Sequence, residues 1–355
     1  MRKMSILVAA LATTSLSTAN VAFADTINLR LGSGHPIGML AYTETASKWF
    51  APELKRRIEG RTDHKVKLQE LHAGQVARVT EVLSSTRDGI LDIGFISMIF
   101  EPSNLFPQNF TLFLPFGSGD ARQVTAAGKA AYEAFPELHT TFEENFNQVY
   151  LGGACLENYG LGTTFDWTKF SDLQGRKIAG AGTNLDWIVG ATAVASNLNE
   201  AYQSMQSGVY EGYISASSWW HSFKLNEVAP FFTKADFGAQ YLNAVTINKQ
   251  SWDRLPPEVQ EILREVGAEW ADVTAEVCAR NDAGGLEQLR KLGVDVREID
   301  AAAKQDWATA LSAFPQRMAD EMRSRGHASG AEIMNFYMSE LEKHGHKWAH
   351  RYEIK

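Results

Sequence analysis

The spacing of apolar residues divides the chain into alternating strands and helices. Thr26–Leu31 alternates apolar and polar side chains, as a half-buried strand does. A glycine-rich loop, Gly32–Gly38, follows, and Pro36 is expected to open a helix reaching about Glu59. Lys65–Leu71 reads as a second strand. It runs into His72-Ala73-Gly74-Gln75 and then a helix to about Asp88. Leu91–Ile96 is the third strand, so the first 70 or so residues of the fold form a βαβαβ pattern. Asp120–Phe135 and Pro136–Phe146 have helical spacing, and Gln148–Leu156 is again a strand.

A second unit occupies residues 172–230. Lys177–Gly180 is a short strand, Thr183–Val194 a predicted helix, Glu200–Ser207 a second helix closed by Gly208, and Val209–Ile214 a strand that empties into Ser215–Ser218 and Trp219-Trp220. This succession suggests a parallel sheet. In such sheets ligands sit beyond the carboxyl ends of the strands, here at Ala179 and Ser215. Ala239–Asn248 is a strand returning to the first domain. Val259, Ile262, Leu263, Val266, Trp270, Val273 and Val277 then recur at helical spacing behind Pro256-Pro257, predicting one helix over about 257–292. Val294–Ile299 is a last strand.

The N-terminus follows different rules. Arg2 and Lys3, the apolar Ile6–Leu11 and the small-x-small site Ala22-Phe23-Ala24 have the layout of a secretory signal peptide over residues 1–24. No later run approaches the ~18 apolar residues of a membrane span, so no direct membrane insertion is expected. Thirty-four basic against 42 acidic residues give a net charge of −8. Removal of residues 1–24 takes away two basic groups and makes it −10. That acidity argues against nucleic acid as a partner. Two cysteines, Cys155 and Cys278, could pair in an oxidising compartment, although two buried thiols is the favoured reading for a core of this size. The histidines near the C-terminus (His344, His346, His350) read as a solvated tail, not as a metal site.

Enzyme signatures are missing from the sequence. It contains no GxSxG, HExxH or GxxxxGK[ST], and Gly32-Ser33-Gly34 is only a fragment of a dinucleotide fingerprint. No cofactor or metal is expected. An exported α/β chain of two domains with polar and aromatic strand ends has the requirements of a small-ligand receptor: a cleft that buries the solute and hinge strands that let it close.

Six segments in order carry a more specific likeness: HAGQ at 72–75, VTEVLSSTRDGILDIGF at 79–95, DLQGRKI at 172–178, EAYQSMQSGVYEGY at 200–213, KLNEVAP at 224–230 and INKQSWDRLPPEVQEIL at 247–263. In these the chain resembles the extracytoplasmic solute receptors of tripartite ATP-independent periplasmic (TRAP) transporters, the dicarboxylate-receptor superfamily. The resemblance implies a periplasmic binding protein fold of class α/β: two lobes, a cleft between them, crossing hinge strands and a long helix spanning both. The lobes are expected over 25–153 plus 240–282 and over 154–239 plus 283–355. The implied partners are a small-molecule solute and TRAP membrane permease subunits.

One departure stands out. The family's strand after the DLKGKK-like motif usually ends in an arginine that pairs with the ligand carboxylate, and here that position is Ala179. A second arginine of some members is replaced by Tyr159, and Arg176 is expected to face the other side of its strand. Burying a carboxylate without a cation is strongly disfavoured. The expected ligand is therefore a small amine or another non-acidic polar or aromatic solute. The alternatives are an organic acid held by His35, Arg78 or backbone N–H groups, a receptor for another class of transporter, and, with no motif behind it, a periplasmic enzyme. The expected ligand-binding residues are His35, Gln75, Phe100 and Glu101 from the first lobe, with Glu157, Tyr159, Ala179, Asp186, Trp187, Ser215, Trp219 and Trp220 from the second. The aromatic faces and carboxylates among them could receive an ammonium group.

Overall fold

The computed structural model describes residues 26–355; the segment read as a signal peptide lies outside the described residues. Among the described residues, eleven strands build two sheets. In chain order they are β1 Thr26–Gly32, β2 Lys65–Leu71, β3 Ile93–Ser97, β4 Gln148–Leu156, β5 Tyr159–Thr163, β6 Lys177–Gly180, β7 Thr192–Ala195, β8 Gly212–Ala216, β9 Phe231–Lys234, β10 Gln240–Asn248 and β11 Asp295–Glu298. The first sheet has the order β2-β1-β3-β10-β4 and the second β11-β9-β5-β8-β6-β7. The expected α/β fold of two lobes is present.

Neither sheet is purely parallel. In the first, β1 runs parallel to β2 and β3, whereas β10 is antiparallel to both β3 and β4. In the second, β6 is parallel to β7 and β8, and β5 is antiparallel to β8 and β9. The antiparallel strands are those that cross between lobes. The chain leaves the first sheet at the end of β4, passes through Glu157-Asn158 and enters the second as β5. It returns through residues 235–239 into β10. The two crossings are bonded side by side. Tyr159 N–H donates to Gly238 O (3.2 Å), Phe237 N–H to Tyr159 O (3.0 Å) and Gly238 N–H to Asn158 Oδ1 (3.1 Å).

The long helix, Pro257–Lys291, is the third link. At ~1.5 Å per residue its 35 residues reach about 50 Å. Val259, Ile262, Leu263, Val266 and Trp270 face the core, as their spacing predicts. Its passage over β4 depends on two glycines, because a Cβ on Gly152 would run into the Gly267 carbonyl. Gly284-Gly285 does not break it. A Cβ on Gly285 would sit 2.6 Å from Ser217 Oγ and from Ser218 N, so the glycine lets this helix touch the short helix Ser217–Ser222.

Local reading failed at four places. Thr183–Val194 is not a helix: a 3₁₀ turn spans Gly182–Trp187, Gly190 takes φ +80°, and Thr192–Ala195 adds β7 to the free edge of β6. The first helix begins at Ala41, since Gly38 adopts φ +80°, and it includes a π turn over Ala46–Phe50. The helix after Gln75 is only Val82–Arg87, and β8 lies later than expected, at Gly212–Ala216. Elsewhere the punctuation is conventional. Asp120 caps Ala121–Ala134 by accepting from Arg122 N–H at 2.9 Å. Asp120→Ala is expected to lower stability by about 1 kcal/mol, as read by denaturant unfolding with an unchanged m-value.

Cys155 and Cys278 are buried free thiols whose sulfurs stand 3.1 Å apart. No group of three or more histidines, cysteines or carboxylates able to hold a metal occurs among the described residues, the C-terminal histidines included.

Candidate functional site

The lobes meet around a cavity at the hinge. It offers about 350 Å³ of space, part of it open to solvent. Loop and strand ends of the first lobe contribute His35, Leu40, Ser97, Ile99 and Phe100. Leu156 comes from the crossing, and the second lobe contributes Tyr159, Ala181, Asn184, Leu198, Tyr213, Ile214 and Trp219. The conformation is a closed one. Gly182 takes φ +54° and approaches the Ile99 carbonyl so closely that a Cβ would overlap it, and Trp187 Nε1 donates across to Leu112 O at 2.8 Å.

Among the described residues, no lysine or arginine lines this cavity. Arg176 is held outside, over the Phe165 ring at 4.2 Å and on Glu211 at 2.7 Å. Arg78 is exposed and paired with Glu81, so the arginine that an organic acid would use is not at the wall. The polar groups on the wall are neutral. His35 is 2 % exposed, and burial pushes its imidazole down to about 4. Its Nδ1 shares a 2.7 Å hydrogen bond with the Tyr42 hydroxyl, whereas Nε2 is buried without a protein partner among the described residues. Either tautomer leaves Nε2 available to a solute, as donor or as acceptor. Asn184 uses its Oδ1 to accept from Ala181 N–H at 2.8 Å, which orients its amide.

Behind the wall stands one carboxylate. Glu157 is fully buried between β4 and β5 and joins three parts of the molecule. Trp219 Nε1 donates to it at 3.1 Å, Asn281 Nδ2 of the long helix donates at 3.2 Å, and the Ala41 N–H at the start of the first helix points to it as well. With no cation among these partners, desolvation dominates and lifts its carboxyl to about 7. Asp282, one residue beyond Asn281, is also raised, by burial and by Glu157. It accepts from the Asn158 N–H at 3.1 Å.

Of the residues expected from sequence, His35, Phe100, Tyr159 and Trp219 line the cavity together. Phe100 lies against the His35 ring at 5.6 Å, and Tyr159 meets the Trp219 ring edge-on at 5.3 Å. Glu157 sits directly behind Trp219, in the two-residue link between β4 and β5. The others are placed elsewhere. Trp187 stacks on Phe237 at 5.1 Å, and Trp220 donates to Ala229 O and packs on Phe232, so both are core. Ala179 is enclosed within β6 between Tyr213 and Val194; its neighbour at i+2, Ala181, reaches the wall. Ser215 donates to Ala216 O inside β8. Gln75 and Asp186 are exposed, the latter toward Arg317 and Glu321. Glu101 is buried and accepts from Asn104, off the cavity.

Ser97, Ala181, Asn184 and Tyr213 are among the nine wall residues that sequence reasoning missed. The strand parity of β6, carried one residue past its end, would have found Ala181 from Ala179.

The chain is similar to known proteins in structure and in sequence. A solved TRAP periplasmic solute-binding protein from Bordetella bronchiseptica, with bound (R)- and (S)-mandelate, superposes with a TM-score of 0.78 at 23 % identity, over 89 % of this chain and 99 % of that one. The ectoine-binding periplasmic protein TeaA of Halomonas elongata is 23 % identical over 82 % of this chain and 85 % of its own. The C4-dicarboxylate-binding periplasmic protein DctP of Rhodobacter capsulatus is 29 % identical over 38 % of this chain and 40 % of its own. The profile of the bacterial extracellular solute-binding proteins of family 7 matches residues 38–321. With four-fifths of the sequence matched and the hinged two-lobe cleft in place, the chain belongs to bacterial extracellular solute-binding protein family 7 and is a solute receptor.

Proposed function

We propose that the protein is the periplasmic receptor of a TRAP transporter, exported through its N-terminal signal peptide, and that it delivers a small non-acidic solute to the membrane permease subunits. The carrying observation is that, among the described residues, no lysine or arginine reaches the cavity wall, and the one basic side chain there, His35, is held neutral. A carboxylate there would lose its hydration without a counter-charge. An amine fits better: the Tyr159 and Trp219 faces attract a cation, and Glu157 behind them supplies negative charge once an ammonium group draws its pKa down. The wall's apolar residues then take the solute's hydrocarbon or ring.

A second reading keeps the receptor and gives it an organic acid. Its support is the mandelate bound by the Bordetella bronchiseptica protein of the same fold. Here such an acid would rest on neutral donors alone.

Thermal-shift screening of residues 25–355 against amines, sugars and organic acids separates the two. At a hundredfold excess over Kd a ligand adds about 2.7 kcal/mol, a plainly readable shift. An amine or an uncharged solute is expected to give the largest shift. A preference for simple carboxylates that survives high salt would sink the non-acidic reading. The solute should also be recovered chemically unchanged after prolonged incubation, since a receptor does no chemistry on it.

A further inference from the structure

We propose that Cys155 and Cys278 become an intramolecular disulfide in the exported protein and staple the hinge. They are the chain's two cysteines, so an internal bond has one connectivity. They lie 123 positions apart in sequence, yet their sulfurs stand at 3.1 Å, both wholly buried. A shift of about 1 Å brings them to the ~2.0 Å of a bonded pair. No other role claims them: Cys278 also contacts the Cys155 carbonyl at 3.7 Å, neither residue lines the cavity, and no metal-holding group includes either among the described residues.

The location gives the bond a purpose. Cys155 is the penultimate residue of β4, two positions before Glu157. Cys278 lies one turn before Asn281 and Asp282, which bond to Glu157 and to Asn158 N–H. A bond here ties the strand that crosses between lobes to the helix that spans them. Both anchors belong to one packed region, where Gly152 and Gly267 already let β4 and the helix touch. The bond therefore fixes the pivot and leaves the mouth of the cleft free to open.

The chemistry is thiol–disulfide exchange with a protein or low-molecular-weight disulfide of the export compartment. One cysteine thiolate attacks a sulfur of the oxidant and releases one thiol. The second cysteine attacks the resulting mixed disulfide and releases the other. Two protein thiols lose two protons and two electrons, and the oxidant's disulfide is reduced to two thiols. Burial pushes the folded Cys278 thiol up and leaves it unreactive, so the exchange takes place while β4 and the helix are still assembling.

The test is intact mass after denaturation in iodoacetamide, on protein exported to a bacterial periplasm and on reduced chain refolded with oxidised and reduced glutathione. The expected result is a monomer two hydrogens lighter than the reduced form, carrying no alkyl group, with one cross-linked peptide joining the Cys155 and Cys278 segments. Two alkylated cysteines in both preparations would overturn the proposal. So would disulfide-linked dimers or glutathione adducts in place of the internal bond. Because the wild-type chain is measured, the outcome does not depend on a variant folding.

Discussion

Glu157→Gln is expected to raise the thermal midpoint of the ligand-free protein at pH 8 and to leave it nearly unchanged at pH 4. The carboxyl titrates near 4.5 in the unfolded chain and near 7 in the fold, because burial opposes the charge and no cation answers it. Below about 4.5 it is protonated in both states and costs nothing. Between 4.5 and 7 the folded protein keeps a proton that the unfolded chain has released, so stability falls as pH rises. Above 7 the full cost is present, about 3 kcal/mol at ~1.4 kcal/mol per unit. Gln removes the ionisation while its amide still fits the site. Its Oε1 can accept from Trp219 Nε1, and its Nε2 can donate to Asn281 after a flip of that side-chain amide. A gain of roughly 5 °C at pH 8 that vanishes at pH 4 is the expected pattern. Equal midpoints at both pH values would place the carboxylate's cost elsewhere, with Asp282 the next group to substitute. Comparing variant with wild type at each pH cancels the opposite slope from His35, whose buried neutral ring must take up a proton on unfolding below about 6.5.

His35→Ala is expected to weaken solute binding by about 10- to 100-fold, the 1–3 kcal/mol of a buried hydrogen bond broken on one side. The ring's Nε2 is the one buried wall nitrogen without a protein partner among the described residues, so a solute entering the cavity is its natural complement. The substitution also orphans the Tyr42 hydroxyl, which is why circular dichroism and the thermal midpoint must be read beside affinity. His35→Gln keeps a polar group within reach of the Nε2 position and should recover part of the loss. Since His35 stays neutral well below pH 6, its contribution to affinity is expected to be flat from pH 6 to 8. Isothermal titration with the strongest thermal-shift hit reads all three. An unchanged Kd in His35→Ala would remove the residue from the binding site.

The sequence by itself determined elements whose signals are local, along with the chemistry of one position. Lys65–Leu71 and Gln148–Leu156 are strands within the predicted bounds, and Pro257–Lys291 is one helix, because alternation, helical spacing and a proline at the first turn need no distant partner. The lack of an arginine at Ala179 was equally legible, since a missing charge is missing whichever way the strand faces. Tertiary structure decided which side chains the cavity receives. Trp219 and Trp220 are consecutive on a short helix, about 100° apart around its axis, so only one can face the cleft. Trp220 is taken into the core by Ala229, by Phe232 and by the space left at Gly162, and Trp219 is left to the wall. The sequence offers Glu157 as a binding carboxylate, but its burial was decided by Ala41, Trp219 and Asn281, which converge on it from three distant parts of the chain. Thr192–Ala195 became a strand because β6 offered it an unpaired edge. The deciding partners lie between 9 and 124 residues away, outside the local segment, and hydrogen bonds and packing to them outweigh its propensity.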